Sequence, residues 1–323
     1  MKKILIIILM FLIVKLYAQP VPAVEENIPF LVTFSKDAPT SYGDDDYVQI
    51  FFFSIPKDYK KPFYIRIFDP DLGGKHDEKN SSSGTFNSKT QFSFYGGNDC
   101  ISNEDAIGIN PKGNYKSGNL INTYTFGADK SLDDTWFTMG PFNPAEGEYK
   151  PQYYGNVFKL IAEGLSGNDG NLYRYYLSSS ANENIPVPGG NAFTFEYTFR
   201  LPSNTKDISH IYPFIDDKVV SIKQTNFDWD KGGIIKLFSI STYAKELQTS
   251  GENEFAESIY YIKTSEKGTS LDLQFHITSK NPLPNNNVVF SITNQYGKSL
   301  PFYTVPIGGV PKYKGKIKIK PLN

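Results

Sequence analysis

One pattern limits the fold of this chain more than any other: apolar and polar side chains alternate with a period of two. The clearest instance sets Phe193, Phe195, Tyr197 and Phe199 against Thr194, Glu196, Thr198 and Arg200. Successive side chains on an extended strand point to opposite faces, so this spacing buries one face and wets the other. The same reading marks strands at 48–54, 63–68, 90–95, 121–126, 156–163, 171–178, 233–242, 258–264, 269–278, 287–294 and 300–306. Gly, Pro, Asn, Asp and Ser crowd the separators, as turns require. Only 244–247 and 252–257 read as helical turns. Aromatic residues make up 15% of the chain, 25 Phe and 22 Tyr among them, and such rings fit a pleated, half-buried surface. With no long Ala/Leu/Glu-rich stretch, a helical bundle is excluded. The expected class is all-β, built as β-sandwiches.

The 323 residues suffice for two domains. A break is expected where the strand ending at Arg200 meets Leu201-Pro202-Ser203-Asn204-Thr205-Lys206. It divides the chain into a larger β-sandwich at 26–200 and an Ig-like β-sandwich at 205–323, each of jelly-roll or Ig-like type.

Lys2 and Lys3 precede an apolar run from Ile4 to Val14, and Lys15-Leu16-Tyr17-Ala18 leads into Gln19-Pro20. This is the layout of a secretory signal peptide, 1–18, cleaved after Ala18. The run is much shorter than the ~20 residues of a spanning helix. Secretion to the periplasm, the cell surface or beyond is expected. Cleavage removes three lysines and no acid, moving the formal charge from -1 to -4, a balance that draws the chain to no nucleic acid. The single cysteine, Cys100, is remote from the leader, so it makes no lipid-anchor motif and no internal disulfide. It reads as a small buried residue, and stability must come from burial and bound ions.

The densest polar cluster, Asp69-Pro70-Asp71-Leu72-Gly73-Gly74-Lys75-His76-Asp77-Glu78, follows directly on an apolar strand. Ca²⁺ takes six to eight oxygen ligands, and carboxylates at a strand end supply them. Asp69, Asp71 and Asp77 are therefore candidate metal ligands, with Asp169 of Ser166-Gly167-Asn168-Asp169-Gly170 reaching in from a neighbouring loop. The spacing is not that of an EF-hand. The competing duty is turn chemistry: Asx-turns for Asp69 and Asp71, a hairpin for Asp169-Gly170. Asp129 with Asp133 and Asp134 forms a third, weaker acidic spot.

No catalytic residue is assigned. The chain has no Gly-x-Ser-x-Gly, no His-Glu-x-x-His and no phosphate loop, and three His with one Cys make no zinc spacing. His76 beside Asp77 is the one general-base candidate. Trp136, Trp229, Tyr153 and Tyr154 lie in turn-rich segments, where rings can stack on sugars; the remaining aromatics fit a sandwich core. Lys312, Lys314, Lys316, Lys318 and Lys320 alternate with Tyr313, Gly315, Ile317 and Ile319, the mark of a charged, protected sheet edge.

The segment Tyr64-Ile65-Arg66-Ile67-Phe68-Asp69-Pro70-Asp71 and the hairpin at 165–173 resemble secreted bacterial β-sandwich modules of the pre-peptidase C-terminal type, over 30–200. The resemblance implies a jelly-roll or Ig-like accessory domain, bound to calcium in some members; no recognisable peptidase accompanies it here. The expected function is a non-enzymatic binding or structural module of the cell surface, stabilised by Ca²⁺, whose partner is a cell-surface protein or glycan. The rival expectation is a secreted carbohydrate-active enzyme on a jelly-roll scaffold.

Overall fold

Four antiparallel sheets account for the strands of the computed structural model, which describes residues 20–40, 47–79, 87–109, 111–229, 232–280 and 286–313. The expected leader, and the lysine alternation from Lys314 onward, lie outside the described residues. The large sheet has nine strands. Its order is Phe255–Tyr261, Ser221–Phe227, Asn287–Asn294, Glu196–Arg200, Leu31–Phe34, Gly170–Ser178, Phe63–Phe68 and Trp136–Phe142, with Pro20–Val21 pairing beside Gly170–Ser178. A second sheet of seven runs Phe302–Tyr303, Asn191–Thr194, Val48–Ile55, Gly155–Ser166, Lys89–Gly96 and Asn119–Phe126, with Glu148–Lys150 alongside Gly155–Ser166. A third sheet of four joins Ile208–Ile211, Asp272–Ile277, Gly233–Phe238 and Lys245–Leu247. The fourth is the short pair Phe214–Ile215 and Thr269–Ser270.

Alternation decides how the sheets stack. Ile65, Ile67, Tyr175 and Leu177 leave one face of the large sheet, and Phe51, Phe53, Phe92, Phe94 and Phe158 leave the facing side of the second; all are buried in one core cluster. The rings interdigitate: Tyr175 lies 4.9 Å from Phe51, Phe63 lies 5.0 Å from Phe158, and Phe92 lies 5.2 Å from Tyr173. Such contacts contribute roughly 0.5–1.5 kcal/mol each beyond their buried area. Further along the large sheet, the third sheet takes over as the facing layer. Its Phe275 packs 5.2 Å from Phe199, 5.0 Å from Phe290 and 5.7 Å from Trp229. The protein is thus all-β and built as sandwiches, with one sheet common to both stacks.

The break expected after Arg200 coincides with a crossing between sheets. The large sheet nevertheless draws strands from both sides of that break, with Tyr197 opposite Phe290 and Phe199 opposite Val288. Of the segments expected as helical turns, 245–247 and 255–257 are strand, while 252–254 is a turn closed by Glu254 N–H on the Gly251 carbonyl at 3.1 Å. Lys245–Leu247 pairs with Gly233–Phe238, and Phe255–Tyr261 pairs with Ser221–Phe227, because a neighbouring strand supplies the backbone partners that an isolated turn lacks. Leu31–Phe34, buried at all four positions, has no alternation for a sequence reading to find. The functional region lies where Phe63–Phe68 ends beside the start of Trp136–Phe142. There Phe68 is opposite Trp136, so the loops at 69–79 and 127–135 leave the sheet side by side.

Candidate metal centre

Backbone hydrogen bonds clasp these two loops together. Asp69 N–H donates to the Thr135 carbonyl at 2.9 Å, and Leu72 N–H to the Gly127 carbonyl at 3.1 Å. Side chains complete the clasp. Asp134 N–H donates to Asp69 Oδ1 at 3.1 Å and Asp129 N–H to Asp71 Oδ2 at 2.9 Å. Asp69 and Asp134 sit at φ of 55° and 57°, a left-handed conformation that Asp tolerates better than most residues.

The clasp gathers oxygen ligands. One carboxylate oxygen from each of Asp69, Asp71 and Asp133 lies within 4.8 Å of the other two. Asp69 and Asp71 are each only 1% exposed, and Asp71 Oδ1 has no hydrogen-bond partner. Burial first, then the charges of Asp133 and Asp69, push the Asp71 carboxyl up to about 7, against the pull of the Asp129 amide. Burial also raises Asp69. A buried carboxylate in this position needs either a proton or a cation. A hard divalent cation fits the donor set, since all three side chains offer oxygen. Gly74 lets the Asp133 carboxylate lie close: a Cβ there would stand 3.2 Å from Asp133 Oδ1. A second trio, Asp69, His76 and Asp134, shares the Asp69 carboxylate. Its members already have partners, with His76 Nε2 at 2.8 Å and Lys75 Nζ at 2.6 Å from the Asp134 carboxylate.

Of the four ligands expected from sequence, Asp69 and Asp71 meet in the trio, while Asp77 and Asp169 face backbone amides. Asp77 Oδ1 accepts from Leu172 N–H at 2.8 Å and Asp77 Oδ2 from Gly74 N–H at 3.0 Å. Asp169 Oδ1 accepts from Lys79 N–H at 2.7 Å and Gly170 N–H at 2.8 Å. They pin the acidic loop across the start of Gly170–Ser178, the turn duty weighed above for Asp169, whose Oδ2 is nevertheless buried without a partner. Asp133, from the weaker third spot, completes the trio. Its sequence signal was present, but nothing local said which acidic loop would lie beside Asp69.

The remaining candidates separate by burial. His76 is tied to Asp134 and packs its ring 4.6 Å from Phe30. Trp229, expected in an open loop, is 1% exposed and belongs to the core. Its ring lies against Gly233, where a Cβ would come within 1.8 Å of it. Tyr153 is half-buried and stacks on Phe193 at 4.9 Å, and Tyr154 is exposed. Trp136 is half-buried beside Phe68 at 5.3 Å. Cys100 is fully buried and its thiol is pushed up to about 12 by desolvation, a poor state for a nucleophile. Among the described residues, no helix is long and apolar enough to cross a membrane.

No family model matches the chain, and no curated protein does. Among solved structures the chain is similar to a peptide-N(4)-(N-acetyl-beta-D-glucosaminyl) asparagine amidase at 10% identity and a TM-score of 0.21, over 87% of this chain and 97% of that one. A likeness that loose bears on neither mechanism nor ligand.

Proposed function

We propose that the protein is an exported, non-enzymatic binding module of the cell surface whose loop end is organised by Ca²⁺. The observation behind this reading is the Asp69, Asp71 and Asp133 trio, with the buried, unpartnered Oδ1 of Asp71 among its oxygens. Three carboxylates supply fewer than the six to eight oxygens that Ca²⁺ takes. The remaining positions fall to backbone carbonyls, water or a bound partner, which is how a structural ion becomes part of a recognition surface. The lysine-led apolar start of the chain supports export.

Thermal unfolding tests the cation. A ligand that binds only the folded state stabilises it by about 2.7 kcal/mol at one hundred times its dissociation constant. Millimolar Ca²⁺ is therefore expected to raise the melting temperature by several degrees over EDTA, and Asp71→Asn and Asp133→Asn to abolish the rise. Asp77→Asn is expected to keep it. Identical melting in Ca²⁺ and chelator overturns the reading.

A further inference from the structure

The outer face of the large sheet next to the metal centre carries side chains unusual for a solvated surface. Register places Arg174 opposite Phe68, and Phe68 opposite Trp136, in one row across three strands. Their neighbours Ile67 and Tyr175 are fully buried, so the row faces away from the core. Arg174, Phe68 and Trp136 each remain partly exposed. The Arg174 guanidinium stands 4.3 Å from the Phe30 ring centroid and 5.5 Å from that of Phe68, held by Nε donating to the Pro29 carbonyl at 2.8 Å. Arg66 lies 5.4 Å from the Trp136 ring, its guanidinium engaged by Thr138 and Asn184. Phe68 directly precedes Asp69, and Trp136 follows Asp134 by two residues. The row adjoins the carboxylates: the Asp69 charge acts on the Arg174 guanidinium, and the His76 ring of the acidic loop lies 6.3 Å from that of Phe68.

We propose that this row and the cation together bind an acidic glycan: a uronate whose pyranose face lies on Trp136 and Phe68 and whose carboxylate meets Arg174 and the cation. The inference rests on the calcium reading, and ligand chemistry selects the occupant. A guanidinium takes a carboxylate in preference to neutral groups, and Ca²⁺ with open positions accepts carboxylate and hydroxyl oxygens. Adjacent rings with one face apolar and one edge wet suit a pyranose better than a fully apolar ligand. A neutral glycan brings no carboxylate to Arg174 or to the open positions of the cation. A peptide carboxylate alone leaves the ring row bare.

Intrinsic fluorescence is a direct readout, because Trp136 is partly exposed while Trp229, the only other tryptophan, is core. Titration of the full chain with trigalacturonate in sub-millimolar Ca²⁺ is expected to change the Trp136 emission saturably. EDTA is expected to abolish the change, and Trp229→Phe to preserve it. Arg174→Gln, checked for unchanged melting, is expected to weaken binding about tenfold, or 1.4 kcal/mol; Trp136→Ala is expected to remove binding by calorimetry. Maltotriose, the neutral control, is expected not to bind. Absence of trigalacturonate binding in a protein that Ca²⁺ does stabilise overturns this inference alone. Equal binding in EDTA, or of maltotriose, overturns it as well. Absence of any calcium effect on melting removes the reading beneath it.

Discussion

Two buried carboxylate sites in this molecule meet opposite fates. Glu266, in the turn before Thr269–Ser270, is fully buried, yet its oxygens are surrounded by donors. Ser239 and Ser241 hydroxyls, the Tyr260 hydroxyl at 2.7 Å and Lys263 N–H at 2.8 Å all donate to it. Burial alone would raise its pKa; these hydrogen bonds outweigh burial and hold it below the usual carboxylate range. Asp71 is as deeply buried, but it receives one amide from the opposite loop, keeps one oxygen bare and faces two further acids. Burial does not distinguish a structural acid from a ligand site. The supply of donors does, and where the chain withholds them a proton or a cation must stand in for the missing partner.

The sharpest way to break this comparison is to remove the satisfied acid. Glu266→Ala leaves several buried hydroxyls and an amide without their acceptor, and a loss of about 3–5 kcal/mol in denaturant unfolding is expected. A loss under ~1 kcal/mol would mean that the network is ornamental.

Glu26 tests an intermediate case. It is fully buried, accepts Ala23 N–H at 2.7 Å on one oxygen and has no partner on the other; burial pushes it up to about 8 from 4.5. The folded chain therefore keeps a proton that the unfolded chain releases above pH 4.5. This group favours folding most below that pH, and its contribution is lost as pH rises through about 8, at up to ~1.4 kcal/mol per pH unit. Glu266 acts in the opposite sense, losing its contribution as pH falls below 4.5. Stability measured from pH 5 to 8 is expected to decline less steeply in Glu26→Gln than in the parent. Parallel curves would refute the assignment.

The smallest effect sharpens the contrast most. In EDTA, Asp71→Asn relieves repulsion and still offers an oxygen to Asp129 N–H, so a change within about 1 kcal/mol in the stabilising direction is expected. A destabilisation matching that of Glu266→Ala would place Asp71 among the satisfied acids after all.

Much of the fold was legible because alternation is a local property. At 193–200 the period of two found extended chain but not its faces: the chain crosses from the second sheet to the large one between Asn191–Thr194 and Glu196–Arg200, so Phe193 and Phe195 pack in one cluster and Tyr197 and Phe199 in another, and Thr194 and Thr198, expected on the wet face, are buried. It was blind at Leu31–Phe34, where both faces are covered, and it mistook Lys245–Leu247 for a helical turn because so short a segment carries too few repeats. At the carboxylate trio, Asp69 and Asp71 were readable from their place at the end of an apolar strand. Asp133 was visible as an acid but not as their partner.

The sequence by itself determined the class of structure, the strand-end acids and the impossibility of an internal disulfide, since each follows from residue type and near-neighbour spacing. Tertiary structure alone decided which loops meet. Setting Phe68 opposite Trp136 joins strands far apart in the chain, bringing Asp133 to Asp69 and Asp71 while the amides of Gly74, Lys79, Gly170 and Leu172 claim Asp77 and Asp169. The same packing buried Trp229 and left Trp136 half open. The physical reason is that a carboxylate's role is set by the donors and charges within a few ångströms of it, and strand pairing across the sheet delivers those neighbours from distant parts of the chain.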